Sequence, residues 1–330
     1  MATSPIHERI PPHAYFAVSA VFHYLGPGFA VLLFAHVAPL GVAWLRIMSA
    51  ALVLALWRRP WRIISAMSWS QRRLLVLLGL VLAGMNGVFY LAIDRLPLAT
   101  VGAIEFLGPV MLAAFGLRGR RNLVALAIAV VGVAMLTNVR LEGEPLGFAL
   151  AFVNCALFVA YVVVGKRIAG DGGTAGLDRL GMAMLVAAVA VAPVGFADAA
   201  VAFRHPSLLA AGFAVGVCSS VVPYVCDQLA LARLPRATFA LMLSLLPATA
   251  TVVGVVVLAQ WPSLAELVGI LAVIGGVALH RADPGDRSRR SGNALRQPGP
   301  HGPEDLPDLP GDDELRRPIR PAMASDPGQG

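Results

Sequence analysis

The sequence predicts an all-α polytopic membrane protein of ten transmembrane helices arranged as two inverted five-helix repeats. Three observations carry this: the composition, the spacing of the apolar runs, and a motif that recurs five runs later. Of 330 residues, 58% are hydrophobic and 14% charged, against roughly 25% charged in soluble domains. The mean hydropathy is +0.74 and the isoelectric point is near 10.0. The basic residues fall in short gaps between apolar runs rather than on an aromatic-laced surface. Their partner is therefore the lipid bilayer, and no nucleic acid is expected.

A helix needs about 20 mostly apolar residues to cross the hydrocarbon core. Span one, 14–35, is too long for a signal-peptide core and lacks a small-residue cleavage site, so it reads as a retained span interrupted by Gly26-Pro27-Gly28. Pro39-Leu-Gly41 breaks the run and opens span two, 38–57. An Arg-rich gap precedes span three, 73–93, and Arg95-Leu-Pro97 separates it from span four, 98–117. Span five, 122–138, is short. Spans six (145–166), seven (177–197), eight (207–231), nine (237–258) and ten (263–281) complete the set. Pro109, Pro193, Pro223 and Pro247 lie within spans and are expected to break or kink them, of which Pro109, Pro223 and Pro247 are taken as hinges. Cys155, Cys218 and Cys226 all fall inside spans without a CxxC pair, which suits small buried hydrophobes rather than disulfides or metal. No cofactor and no metal site is expected.

The stretch Leu91–Pro109 realigns on Leu229–Pro247 with nine of nineteen positions identical at one constant offset. The copies lie five spans apart, and five is odd, so the second half is inverted relative to the first. Inverted halves around a central site are a mark of secondary transporters. Orientation is read independently from Lys and Arg. Arg58, Arg59, Arg62, Arg72 and Arg73 lie between spans two and three; Arg118, Arg120 and Arg121 between four and five; Lys166, Arg167 and Arg179 between six and seven; Arg233 and Arg236 between eight and nine. The alternate gaps hold only Arg95, Arg140 and Arg204. The richer set is expected inside, with both termini cytoplasmic and the chain multi-pass in the cell membrane.

Charges at the bilayer centre cost about 2.5–3.5 kcal/mol each on insertion scales, so those present are candidates for function. Arg46 sits in span two and Glu105 in span four, at a similar expected depth of about 11–12 Å below the outer face. Two readings stand open: a static ion pair that pins two helices, or groups facing a wet cavity where they contact substrate or carry a coupling proton. Asn86 and Tyr90 in span three correspond, across the repeat, to Tyr224 and Gln228 in span eight, and such pairs suit a shared pathway. Ser219, Ser220 and Asp227 flank Pro223 and Tyr224; Asp227 also suits a plain pairing with Arg233 or Arg236. His23, Asn154, Tyr161 and Ser244 are single polar groups for which an inter-helix hydrogen bond is the simpler role. The candidate substrate or coupling set is thus Glu105, Arg46, Asn86, Tyr90, Tyr224, Ser220, Asp227 and Ser244.

The stretch Arg95-Leu-Pro-Leu-Ala-Thr-Val-Gly-Ala-Ile-Glu-Phe-Leu-Gly-Pro109 resembles EamA-domain transporters of the drug/metabolite transporter superfamily, most of all the threonine/homoserine exporter (RhtA) group. Ser219-Ser-Val-Val-Pro-Tyr224, Arg233-Leu-Pro-x-x-Thr238 and Ser244-Leu-Leu-Pro247 are similar to that group's second unit. The resemblance spans about 13–281, divided as a first repeat over 13–140 and a second over 141–281. Residues 1–12 are expected to form a cytoplasmic N-terminal segment. Residues 282–330, rich in Pro, Gly and Arg, are expected to form a disordered cytoplasmic tail. The resemblance implies export of small amino acids, a small-molecule substrate exchanged for protons, with Glu105, Pro109, Pro223, Tyr224 and Pro247 on the family motifs. Efflux of drugs or other metabolites is the alternative within transport. A membrane-embedded enzyme is remote, since the chain carries no Asp-rich prenyl-diphosphate motif, HxxxxD box, GxSxG elbow or HExxH site.

Overall fold

The computed structural model describes residues 11–116, 120–140, 144–169, 174–233 and 245–279. The 1–10 segment, the 280–330 tail, Arg236 and Ser244 lie outside these described residues. Ten helical rods follow in the expected order: α1 (Pro12–Leu33), α2 (Pro39–Arg58), α3 (Trp69–Ile93), α4 (Leu98–Gly116), α5 (Arg120–Arg140), α6 (Pro145–Ala169) and α7 (Thr174–Ala199). Then come α8 in three parts (Pro206–Gly216, a π-helical turn Val217–Val221, and Val222–Arg233), α9 (Leu246–Leu258) and α10 (Leu264–Leu279). No strand occurs among the described residues. Among the described residues, six helices are individually long and apolar enough to cross a bilayer.

The local sequence sets the ends. Pro39 opens α2 in its first turn, where a missing N–H costs nothing. Arg59, left-handed at φ 51°, closes α2 ahead of Pro60. Ser68 and Gln71 cap α3 reciprocally, the Gln71 N–H donating to Ser68 Oγ at 3.3 Å and the Ser68 N–H to Gln71 Oε1 at 2.9 Å. Ser263 and Glu266 repeat that box at the start of α10. The helix α4 continues through position 109, so Pro109 does not end it. Pro27 likewise lies within α1.

Three pairs of helices five apart in the order meet, α2 with α7, α4 with α9 and α5 with α10, and each pair runs antiparallel. Gly41 at the start of α2 abuts Asp198 and Ala199 at the end of α7, while Gly181 near the start of α7 abuts Leu54 and Pro60. Along α5 and α10, Gly132 faces Gly269 and Ala272, and Gly276 faces Ala125 and Ala129. Between α4 and α9, Gly102 faces Ala250, and the Leu98 N–H donates to Gln260 Oε1 at 3.1 Å. Helices five apart in the order that meet thus run in opposite directions.

Helices are also exchanged between the repeats. The first helix packs on α8 and α9, and its counterpart α6 packs on α3 and α4; α2 lies along α8, and α7 along α3. Two bundles result, α1-α2-α8-α9 and α3-α4-α6-α7, each with two helices from either repeat. Besides the α4–α9 contact, the α2–α7 crossing joins them. Its Arg58 end is held by a forked ion pair, Arg58 Nε to Asp178 Oδ1 at 2.8 Å and Nη2 to Oδ2 at 3.2 Å. Its other end is aromatic, with Trp44 edge-on to Phe196 at 5.4 Å.

Candidate functional site

Arg46 and Glu105 are both buried, at 7% and 6% exposure, yet they do not form an ion pair; the open choice left by their similar depth resolves against direct pairing. Each is instead held by neutral groups of its own bundle. On α2, Arg46 donates from Nε to Ser220 Oγ and from Nη2 to the Ser219 carbonyl, both at 3.1 Å. That carbonyl is available for a reason written in the chain. In an α-helical register residue 223 would donate to it, but Pro223 has no N–H. The π turn just before it shifts the ladder, Val222 donating to Val217 O five residues back. Pro223 follows this turn, and its own carbonyl accepts from Ser19 Oγ of α1 at 3.4 Å.

Close approach of α8 to α2 depends on Gly216, where a Cβ would lie 2.6 Å from both Arg46 O and Ser49 Cβ. On the other bundle, Glu105 of α4 accepts from Asn154 Nδ2 of α6 at 3.3 Å. Gly108, one turn on, lets the two helices meet there, since a Cβ would fall 2.7 Å from Val159 Cγ2.

Tyr90 reaches across from α3, its ring 5.5 Å beneath the Arg46 guanidinium. Among the described residues, three fully buried polar atoms have no hydrogen-bond partner: Tyr24 Oη, Tyr90 Oη and Asn154 Oδ1. Arg46 has five N–H groups and spends two on α8. The site therefore offers a cationic pole with spare donors on one bundle, an anionic pole on the other, and unsatisfied neutral groups at both. Such groups suit a small ligand carrying both charges.

The remaining sequence candidates divide. Ser220 and Tyr90 join the Arg46 pole. Asn86 donates to Leu82 O in its own helix at 2.8 Å and is accounted for by that bond. Tyr224 and Asp227 are half-buried on α8 beyond Pro223. Pro247 is buried in the first turn of α9, its carbonyl accepting Thr251 Oγ1 at 2.9 Å. Sequence reasoning ranked Asn154 as a plain structural group and did not single out Tyr24. Ser219 was overlooked as a direct partner because its backbone, not its side chain, makes the contact; the signal was Pro223 four residues on.

A cavity of about 360 Å³ lies where the α3–α4 and α9–α10 connections meet, lined by Asp94, Arg95, Thr100, Gln260, Trp261 and Glu266 among others. Thr100 is five residues from Glu105 along α4, about 7.5 Å of rise. No cluster of three or more metal-binding side chains occurs among the described residues.

An all-helical chain with several helices long and apolar enough to cross a bilayer, and charged groups buried between them, suits a membrane transporter. Residues 145–281 match the EamA-like transporter family. The threonine/homoserine exporter RhtA of Salmonella typhimurium (strain LT2) is 34% identical over 252 residues, covering 76% of this chain and 84% of that protein. RhtA of Escherichia coli (strain K12) is 33% identical with the same coverage. A solved crystal structure shares the fold at TM-score 0.50 and 19% identity, covering 86% of this chain and 99% of its own. The chain belongs to the EamA-like transporter family. It is a multi-pass membrane transporter and not an enzyme.

Proposed function

We propose that this transporter exports small zwitterionic amino acids of the threonine or homoserine kind, by alternating access and in exchange for protons. The observation that carries the reading is the placement of Arg46 and Glu105 on opposite bundles, each anchored within its own. Arg46 takes the substrate carboxylate through its remaining N–H groups, with Tyr90 beside it. Glu105 takes the ammonium, with the free Asn154 Oδ1 as second acceptor. A bound zwitterion then draws the bundles together, and an empty site does not. A proton on Glu105 removes the charge that holds the ammonium, so substrate and proton compete for one carboxylate and exchange across the membrane. The moving bodies in this reading are the two mixed bundles rather than the two sequence repeats. The substrates for which the RhtA relatives are named support the substrate class. The arginine distribution supports cytoplasmic termini, and in this reading the cavity beside Arg95 lies toward the outer face.

Counterflow of a labelled amino-acid panel in proteoliposomes, with and without a pH gradient, tests this. Threonine is expected to exchange and to be driven by the gradient. Glu105→Gln is expected to fold and insert but to lose gradient-driven transport; proton-coupled export by that variant refutes the role of Glu105. Movement of cationic dyes with no amino-acid exchange refutes the substrate class. In the same vesicles, cysteines at Arg62 and Arg95 are expected to label from opposite sides, and labelling from one side refutes the topology.

A further inference from the structure

We infer that Tyr24 is the side chain that selects substrates bearing a hydroxyl. The inference rests on the amino-acid reading above and concerns the same site. Tyr24 is wholly buried, and its phenol oxygen has no hydrogen-bond partner among the described residues. Buried hydroxyls are seldom left so without a reason. The phenol extends from α1, in one bundle, to α4, in the other. There a Cβ on Gly102 would stand 2.9 Å from Oη and 3.2 Å from Cε1, so glycine keeps the place open. Gly102 is three residues before Glu105, on the same helical face, which sets the phenol beside the anionic pole.

The ring is well fixed. It meets His23 edge-on at 5.3 Å. Its helix is seated by Gly26 against Ser219 and by Gly28 against Val253. Of the three unpartnered atoms, Tyr90 Oη belongs to the Arg46 pole and Asn154 Oδ1 to the Glu105 pole. Tyr24 Oη is left for what branches from the carbon between the two charges, the amino-acid side chain. A hydroxyl there shares one hydrogen bond with the phenol, with either oxygen able to donate. A methyl of the same size leaves the phenol unpaired, and a site built for a hydroxyl rejects the analogue that lacks it.

Threonine and valine differ by that one exchange of hydroxyl for methyl, so the experiment is counterflow of each by wild type and by Tyr24→Phe. Wild type is expected to favour threonine, and Tyr24→Phe to lower the threonine-to-valine ratio roughly tenfold at equal protein abundance, mainly by losing threonine transport. Gly102→Ala leaves the phenol intact but displaces it, and is expected to lower the same ratio. An unchanged ratio in either well-expressed variant overturns the role of Tyr24 while leaving amino-acid export standing. Transport of neither amino acid by wild type overturns the export reading and the selectivity with it.

Discussion

Gly216→Ala tests the geometry that holds Arg46. An added Cβ would lie 2.6 Å from Arg46 O and from Ser49 Cβ, where ordinary carbon contacts are about 3.5–4.0 Å. The helix α8 must therefore withdraw from α2 by about 1 Å. The two Arg46 hydrogen bonds, both 3.1 Å, would open to about 4 Å, beyond useful reach. Overpacking of this kind costs about 1–3 kcal/mol, and loss of bonds to a charged donor adds about 1.5–3 kcal/mol each. The gain in helix propensity from Gly to Ala offsets only about 1 kcal/mol. A net loss of about 3 kcal/mol or more is expected, with a raised KM because the guanidinium is no longer aimed. Gly165→Ala is the control: nothing lies within 4 Å of its added Cβ, so it is expected to be neutral or stabilising by up to about 1 kcal/mol. Thermal melting of the purified protein and threonine counterflow read the two effects. If Gly216→Ala melts like wild type and keeps its KM, the close α2–α8 contact does not position Arg46.

Two further outcomes follow from the contacts described. Arg46→Lys keeps the charge but not the fork that reaches both Ser220 Oγ and Ser219 O; substrate affinity is expected to fall by tenfold or more in inserted protein, whereas reduced abundance with unchanged affinity would make the arginine purely structural. Asp178→Asn removes the forked partner of Arg58 between the two bundles, and is expected to speed labelling of the free, half-buried Cys226 by a water-soluble thiol reagent in a background lacking Cys155 and Cys218. Unchanged labelling would show that this ion pair does not hold the Arg58 face shut.

The ten helices were legible because the bilayer imposes one length and one polarity on each, and proline or arginine marks most of the breaks. The start of α3 shows the margin: hydropathy alone begins it at residue 73, whereas Ser68 and Gln71 cap it four residues earlier, a signal present but masked by Arg72 and Arg73. The inversion was legible from one motif and an odd count. Rotation about each helix axis was not. Depth brought Arg46 and Glu105 level, but only packing shows Arg46 turned toward Ser219 and Ser220 and Glu105 toward Asn154. The exchange of α1 and α6 between bundles was equally hidden, since hydropathy says how many helices cross and nothing about which neighbour each chooses.

That exchange has a consequence for how the chain can be taken apart. Cut near residue 142, it yields two pieces, neither of which contains a whole bundle: the first lacks the groove on α8 and α9 into which α1 fits, the second lacks the seat for α6 on α3 and α4. Each piece is a clasp missing its eye. The two positions that would grip a zwitterion, Arg46 and Glu105, both ride on the first piece, while the residues that steady them, Ser219, Ser220 and Asn154, all belong to the second.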